Sequence, residues 1–132
     1  MKLVIIESPY SGDTEINVDY ARLCMADCLR RGEAPLASHL LYTQPGILRD
    51  DVSEERKLGI DAGLAWADKA DATVVYTQEG WSDGMRYGVE RAKKAGRPIE
   101  YRWVPGYVPK TKRGDDQIRF EGEQMADFPH SD

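Results

Sequence analysis

The sequence has no excess of positive charge, since its 132 residues contain 18 Lys and Arg against 23 Asp and Glu, a net charge of −5. Proteins that wrap nucleic acid need clustered positive charge, so we expect no nucleic acid polymer as a partner. No apolar run exceeds four residues, as at residues 3–6, and a membrane span needs roughly 20. The first residues also lack the apolar core of a secretion signal. We therefore expect a cytoplasmic protein that does not contact a membrane.

Histidine and cysteine are scarce, with two of each in the chain. Cys24 and Cys28 are four residues apart on the inner face of a predicted helix, where a disulfide between them would strain the backbone. We expect both thiols to pack in the core. His39 and His130 lie far apart in the sequence and close to no cysteine, so the pattern of a zinc site is missing. We predict no bound metal and no cofactor.

The length of the chain suits one domain, because a chain of about this size buries roughly two-thirds of its unfolded surface. Residues 1–102 alternate apolar runs with amphipathic stretches and are predicted to form that domain. From residue 103 the composition changes to Pro, Gly and alternating charge, which predicts an extended C-terminal tail over residues 103–132. Within the tail, only residues 117–121 have a strand-like pattern.

The pattern of apolar residues predicts an alternation of strands and helices. The strands are expected at 2–6, 34–38, 73–77 and 97–102, and the helices at 14–31, 51–69 and 85–95. Asp51, with Glu54 three residues later, is typical of a capping box that opens the second helix. The alternation favours an α/β fold, a three-layer flavodoxin- or Rossmann-like parallel sheet with helices on both faces. The first strand, which is apolar from residue 3 to residue 6, is expected at the centre of the sheet.

The unusual residues of the domain follow the carboxyl ends of the predicted strands, where ligands bind in open parallel sheets. Those that we expect to contact a ligand are Ser8, Pro9, Tyr10 and Ser11 after the first strand, His39 in the long loop after the second, and Trp81, Ser82, Gly84 and Met85 after the third. Hydroxyl groups suit a ribose, an aromatic face suits a base, and a helix N-terminus suits a phosphate. Turn chemistry, a structural histidine and a core tryptophan remain open as alternatives.

The order and spacing of three motifs resemble the nucleoside 2-deoxyribosyltransferase-like superfamily, above all its small phage and prophage domains of unassigned function. The motifs are LVIIESPY at 3–10, ADATVV at 70–75, and Gly84-Met85 with Gly88, Ala92 and GRPI at 96–99. The resemblance covers residues 2–102 and leaves the tail outside. It implies a flavodoxin-like sheet and a site for a nucleoside or nucleotide, often completed by a neighbouring subunit of a homo-oligomer.

The residues that act in active members of this superfamily match the sequence only in part. The resemblance implies a tyrosine after the first strand that positions the nucleophile, and Tyr10 fits. It implies a glutamate nucleophile at the start of the third helix, but the aligned residue is Arg86, or Gly88 in a shifted alignment. It also implies a second-helix carboxylate that assists protonation of the base. That position falls near Gly63, two residues from Asp61.

Three carboxylates are candidates for the missing acid chemistry. Glu90 lies inside the third predicted helix, one turn beyond Arg86. Asp61 lies on the second predicted helix, on the same expected inner face as Leu58. Glu7 ends the first strand, where a carboxylate can point into the site.

These residues lead to three hypotheses for the function. The first two involve a small ligand, and the third does not. In the first, the protein binds a nucleotide or a nucleotide-derived signal without cleaving it, and Arg86, beside Ser82 at a helix N-terminus, favours a phosphorylated ligand. In the second, it is a hydrolase or transferase that cleaves an N-glycosidic bond with one of the three carboxylates, through an oxocarbenium-like state. In the third, it is an assembly module whose tail from Trp103 joins copies of the chain.

Overall fold

A computed structural model describes residues 1–110 of the chain. The strands in this range are β1 (Lys2–Glu7), β2 (Glu33–Leu36), β3 (Ala72–Tyr76) and β4 (Ile99–Arg102), and the helices are α1 (Thr14–Arg30), α2 (Ser38–Leu41), α3 (Ser53–Ala67) and α4 (Asp83–Lys94). No helix in this range is both long and apolar enough to cross a membrane. The strand predicted at 117–121 and the second histidine, His130, lie outside the described residues.

The strands form one parallel sheet in the order β2-β1-β3-β4. Ile5 of β1 lies opposite Thr73 of β3, and Thr73 lies opposite Ile99 of β4. The middle of β1 and the whole of β3 are buried, as expected of strands that lie between two helical layers. The predicted α/β fold and the central place of the first strand are therefore confirmed.

One face of the sheet is covered by α1. Its Tyr20, Cys24 and Cys28 are fully buried against the sides of β1 and β3 that face the helix. Both cysteines are free thiols and pack as small apolar side chains, as predicted. The chain reverses into β2 at Gly32, whose φ of 79° favours glycine.

The opposite face is covered by α3 and α4. Met85 and Val89 of α4 pack against Val75 of β3. α3 lies beside α4 but contributes little to the core, because its buried residues are Gly63 and Ala67. The small side chains of α3 leave space between the two helices above the sheet.

The start of α3 differs from the prediction. The helix begins at Ser53 without a hydrogen bond from a capping side chain, so the capping box predicted at Asp51 and Glu54 is wrong. Asp51 instead pairs with the Arg49 guanidinium at 2.9 Å. The backbone N–H of Arg49 donates to Glu55 at 2.8 Å, which ties the preceding loop to the first turn of the helix.

The face that α3 buries also differs from the prediction. Leu58 and Trp66, two of the apolar residues that suggested the inner face, are 58% and 53% exposed. The Trp66 Nε1–H donates to the Tyr42 hydroxyl at 2.7 Å on the surface. The inner positions of the helix hold glycine and alanine, which contribute little to a hydrophobic pattern. The predicted face therefore followed the large apolar side chains, which are exposed.

β2 is shorter than predicted. It ends at Leu36, and Ser38 starts the short helix α2 where a loop was expected. Pro35 fits the strand because β2 lies at the edge of the sheet, where the missing N–H removes no hydrogen bond on the outer side. The early end of the strand brings His39 onto α2, at the carboxyl edge of the sheet.

Residues 103–110 pass over the side of the sheet that carries α1. The Val104 N–H donates to Gln78 Oε1 at 2.6 Å. The Tyr107 ring lies 4.8 Å from the Tyr20 ring, measured between centroids. The first part of the predicted tail therefore packs on the domain.

A buried ion pair ties β4 to β2. Arg102 donates to both carboxylate oxygens of Glu33, at 2.8 and 2.7 Å. The two side chains are only 5% and 10% exposed. The guanidinium holds the pKa of Glu33 below its usual range, because it stabilises the charged carboxylate.

Candidate functional site

A cavity lies at the carboxyl edge of the sheet, between α3 and α4. The sheet forms its floor, and the turn after β1 and helix α2 close one side. Its volume of about 110 Å³ is several times the roughly 10–15 Å³ that one water molecule needs. The predicted site residues that line the cavity are Glu7, Ser8, Tyr10, Ser11, His39, Ser82, Gly84 and Met85.

Both helical walls of the cavity carry two glycines one turn apart. Gly59 and Gly63 lie on α3, and Gly84 and Gly88 lie on α4. Residues four apart share one face of a helix, so each pair removes two side chains from the wall. A glycine inside a helix costs roughly 0.5–1 kcal/mol relative to alanine. The glycines therefore lower the stability of the two helices, but they let side chains of other elements approach closely and leave open space in the cavity.

Ser8 and His39 form a polar pair at the side of the cavity. Ser8 Oγ lies 2.7 Å from His39 Nε2. Burial lowers the pKa of His39 to about 4, because the charged imidazolium is poorly solvated there. The ring is therefore neutral at pH 7, with one nitrogen as donor and the other as acceptor. The sequence predicted each residue from a different segment, and the fold brings the two together.

The turn that carries Tyr10 and Ser11 is fixed by a buried asparagine that the sequence analysis missed. Asn17 of α1 is 3% exposed and donates from Nδ2 to the backbone oxygens of both residues, at 3.1 and 3.0 Å. The Tyr10 ring meets the His39 ring edge-on, with 6.5 Å between centroids. An aromatic face and a neutral imidazole thus stand side by side at the rim.

The Glu7 carboxyl group lies at the floor of the cavity, where β1 ends. Desolvation raises its pKa from 4.5 to about 8, although the positive charge of Arg97 opposes the shift. The group is therefore mostly protonated at pH 7. It lies so close to Gly88 of α4 that a Cβ atom at position 88 would overlap with it. Glu7 occupies the space that a side chain at position 88 would need.

Gly63 of α3 has the same relation to Ser38, the first residue of α2. A Cβ atom at position 63 would lie 2.5 Å from Ser38 Oγ and 2.7 Å from its Cβ. The superfamily resemblance implies a carboxylate near position 63 and, in one alignment, the nucleophile at position 88. Both positions hold glycine here, and a side chain from another element fills the space beside each: Ser38 at the start of α2 beside Gly63, and Glu7 at the end of β1 beside Gly88.

The N-terminus of α4 borders the cavity, as the sequence predicted. Ser82 Oγ accepts a hydrogen bond from the Met85 N–H at 3.2 Å, so this hydroxyl is used as the helix cap. Gly84 leaves open space beside the cap, because a Cβ atom there would meet only Ser82 Oγ, at 3.9 Å.

Three residues predicted to contact a ligand do not line the cavity. Pro9 and Trp81 are buried, and Trp81 packs against Val75 in the core under α4. The exposed Arg86 places its guanidinium 5.7 Å from the centroid of the Trp81 ring. The cavity therefore gives no support to Arg86 as the group that binds a phosphate.

Two of the three candidate carboxylates also lie outside the cavity lining. Asp61 accepts a hydrogen bond from Lys57 Nζ at 2.9 Å, in an open groove on the outer side of α3. The shared inner face with Leu58 that suggested Asp61 is wrong, because both residues are exposed. Glu90 is exposed on α4. Of the three candidates, Glu7 alone lines the cavity.

The sequence analysis missed further residues that line the cavity, above all Arg97 and Thr73. Arg97 Nε donates to Thr73 Oγ1 at 3.1 Å. No pattern of spacing marks these residues, because each faces the cavity through the register of a strand or the start of an element. Within residues 1–110, no three His, Cys, Asp or Glu side chains are grouped so that they could hold a metal ion.

The parallel sheet and the cavity at its carboxyl edge define an α/β protein with a cavity between two helices. The chain belongs to the family described as a domain of unknown function, DUF7768, whose model matches residues 2–102. Its structure is similar to that of a 2-deoxyribosyltransferase from the psychrotolerant bacterium Bacillus psychrosaccharolyticus, with 15% identity, a TM-score of 0.55, and coverage of 89% of this chain and 81% of that chain. No curated protein matches the sequence. This similarity shows the fold.

Proposed function

We propose that the protein binds a nucleoside or a nucleotide in the cavity between α3 and α4. The observation that carries this proposal is the convergence of residues from three strand ends on one cavity: Glu7 and Ser8 from β1, His39 after β2, and Gly84 after β3. Ligands of open parallel sheets bind at this edge. The similar structure belongs to a 2-deoxyribosyltransferase described as a biocatalyst for the synthesis of nucleosides, and this supports the ligand class.

The polar groups of the cavity suit a sugar with hydroxyl groups and a flat base. Ser8 and the neutral His39 offer both donors and acceptors at 2.7 Å from each other, and ribose hydroxyls need both. Tyr10 offers an aromatic face at the rim, on which a base can stack.

Gly84 provides a steric test of this proposal. Since a Cβ atom there meets nothing closer than 3.9 Å, Gly84→Ala fits, whereas Gly84→Leu extends into the space beside the helix start. We expect nucleosides or nucleotides to raise the Tm of the wild type and of Gly84→Ala, and not that of Gly84→Leu. A ligand at 100 times its Kd stabilises the fold by about 2.7 kcal/mol.

The Tm values of both variants without ligand serve as controls for folding, because alanine and leucine both have a higher helix propensity than glycine. Two results would count against binding in this cavity. One is a wild type that responds to none of the common nucleosides and their mono- and dinucleotides. The other is a Gly84→Leu variant that folds and responds as the wild type does.

A second candidate function is cleavage of an N-glycosidic bond, and the contact between Glu7 and Gly88 favours it. The carboxyl group lacking at position 88 is replaced in space by Glu7. In a hydrolysis, the protonated Glu7 would give its proton to the departing base nitrogen as the bond from C1′ to that nitrogen breaks. Water would then add to the oxocarbenium-like carbon and return a proton to Glu7.

This activity is tested by chromatography of each bound nucleoside or nucleotide for released base. Glu7→Gln should abolish release but keep binding, because an amide retains the shape and cannot donate this proton. Asp61→Asn and Glu90→Gln are matched controls that should keep the wild-type rate, since both side chains lie outside the cavity lining. Release by Glu7→Gln at the wild-type rate would exclude this role for Glu7. Intact ligand in every reaction would leave binding as the function.

A further inference from the structure

Arg97 brings a positive charge to the floor of the cavity from the segment between α4 and β4. Its backbone N–H donates to the Ala92 oxygen at 3.0 Å, which fixes the residue at the end of α4. Its Nε donates to Thr73 Oγ1 at 3.1 Å. Thr73 is 1% exposed, and both side chains line the cavity. The guanidinium is thus held against β3 by its backbone and by one side-chain hydrogen bond.

The guanidinium of Arg97 keeps most of its binding capacity. A guanidinium has five N–H donors in a planar fork, and the bond to Thr73 uses one. Among residues 1–110, no carboxylate oxygen forms a salt bridge with it within 4 Å, whereas Arg102 has Glu33 at 2.7 Å and Arg31 has Asp27 at 3.0 Å. The two Nη groups therefore remain for another partner.

The acidic groups of the cavity do not neutralise this charge at pH 7. Desolvation raises the pKa of Glu7 to about 8 although the charge of Arg97 lowers it, so Glu7 is mostly neutral. Asp50 lies 3.9 Å from the guanidinium of Arg56, so these two charges offset each other. Glu55 accepts a hydrogen bond from the backbone of the preceding loop. The floor of the cavity carries an uncompensated cation.

We propose that Arg97 binds the phosphate group of a nucleotide, so that the ligand of this cavity is a phosphorylated nucleoside. The inference rests on the proposed binding function and deepens it by naming the class of ligand. A guanidinium fork matches two oxygens of a phosphate, and such charge-assisted pairs are stronger than neutral hydrogen bonds. The sequence suggested a phosphorylated ligand through Arg86, but it is Arg97 that lines the cavity.

The test compares the four common ribonucleosides with their 5′-monophosphates by titration calorimetry at pH 7. For the wild type, we expect the monophosphate to bind at least ten times more tightly than its nucleoside. Arg97→Gln should reduce this ratio to about one and leave the affinity for the nucleoside unchanged. Arg97→Lys, which keeps the charge without the fork, should retain part of the ratio. Arg86→Gln is the matched control, because Arg86 is an exposed arginine outside the cavity lining, and it should keep the full ratio.

The outcomes separate this inference from the proposed function. Nucleosides that bind as tightly as their monophosphates would overturn the role of Arg97 and leave the binding function intact. The role of Arg97 would also be overturned if the affinity ratio is unchanged in both Arg97 variants, or if it falls equally in Arg86→Gln. If neither class of ligand binds, the proposed function fails, and inorganic phosphate then tests Arg97 directly. Phosphate should raise the Tm of the wild type and not that of Arg97→Gln, and an equal response of both proteins refutes the anion site.

Discussion

Replacement of Glu7 by glutamine should stabilise the protein, and the gain should grow as the pH rises. The carboxyl group has a pKa of about 8 in the fold, against 4.5 as its ordinary value. Between these two values the folded protein holds a proton that the unfolded chain has released, so unfolding becomes easier as the pH increases. The contribution of neutral Glu7 is complete below pH 4.5 and is lost as the pH rises to about 8. Glutamine has the same shape and does not titrate.

The size of the effect follows from the two pKa values. Each pH unit in this window changes the free energy of unfolding by about 1.36 kcal/mol per proton. Between pH 5.5 and pH 8 the wild type should therefore lose about 3 kcal/mol relative to Glu7→Gln. For a fold with a total stability of about 5–15 kcal/mol, this is a large fraction.

The measurement is urea denaturation of both proteins at several values between pH 5.5 and pH 8, followed by circular dichroism. The difference between the two free energies isolates Glu7, because His39 and all other groups titrate in both proteins. Glu90→Gln, at a position exposed on α4, is the control for the loss of one carboxyl group from the surface. If the difference in free energy of unfolding between Glu7→Gln and the wild type stays constant with pH, the reasoning is refuted. That result would mean that the carboxylate of Glu7 is well solvated rather than buried at the cavity floor.

Three further predictions concern other contacts of the fold. Arg102→Gln leaves the buried carboxylate of Glu33 without its partner, and urea denaturation should show a loss of about 3–5 kcal/mol; a loss below 1 kcal/mol contradicts the burial. Gly63→Ala should lower the Tm despite its higher helix propensity, because its Cβ would lie 2.5 Å from Ser38 Oγ, and Ser38→Gly should reverse the loss; a stabilised Gly63→Ala in the wild type contradicts this packing. The pKa of His39 falls from 6.5 to about 4 in the fold, so its stabilising contribution is complete above pH 6.5 and declines by about 3 kcal/mol toward pH 4. His39→Gln should lack this decline in the same denaturation series, and a parallel decline in both proteins contradicts it.

The sheet could be predicted from the sequence because its strands are simple. Residues 3–6 of β1 and the whole of β3 are apolar or β-branched, and this pattern fits a strand buried between two layers. The buried face of α3 was harder to predict, because its inner positions hold small residues such as Gly63 and Ala67. Hydrophobic periodicity measures large apolar side chains, and on this helix the largest ones, among them Trp66, face outward.

The site was predicted in part, and the limit has a physical cause. Ser8 and His39 could be proposed because both follow strands, and the carboxyl ends of parallel strands meet at one edge. Arg97 could not, since it precedes β4 and reaches the cavity along the sheet through its long side chain. Arg86 was predicted to contact the ligand because it lies near the start of a helix. Side chains radiate outward from a helix, however, and the guanidinium of Arg86 lies over the Trp81 ring.

The exchange between Glu7 and Gly88 explains how this cavity can hold an acid without the expected helix residue. A side chain at position 88 and the carboxyl group of Glu7 would need the same space, so the two cannot be present together in this arrangement. The acid at the end of β1 is anchored by the sheet, where Glu7 lies opposite Val75 of β3. Placement at the strand end also puts the group beside Arg97. Because burial keeps Glu7 neutral, that arginine stays free for an anion; an ionised acid would compete for it. The glycine at position 88 therefore leaves room for the Glu7 carboxyl group, and the neutral state of that group leaves Arg97 without an ionised acid at this point of the floor.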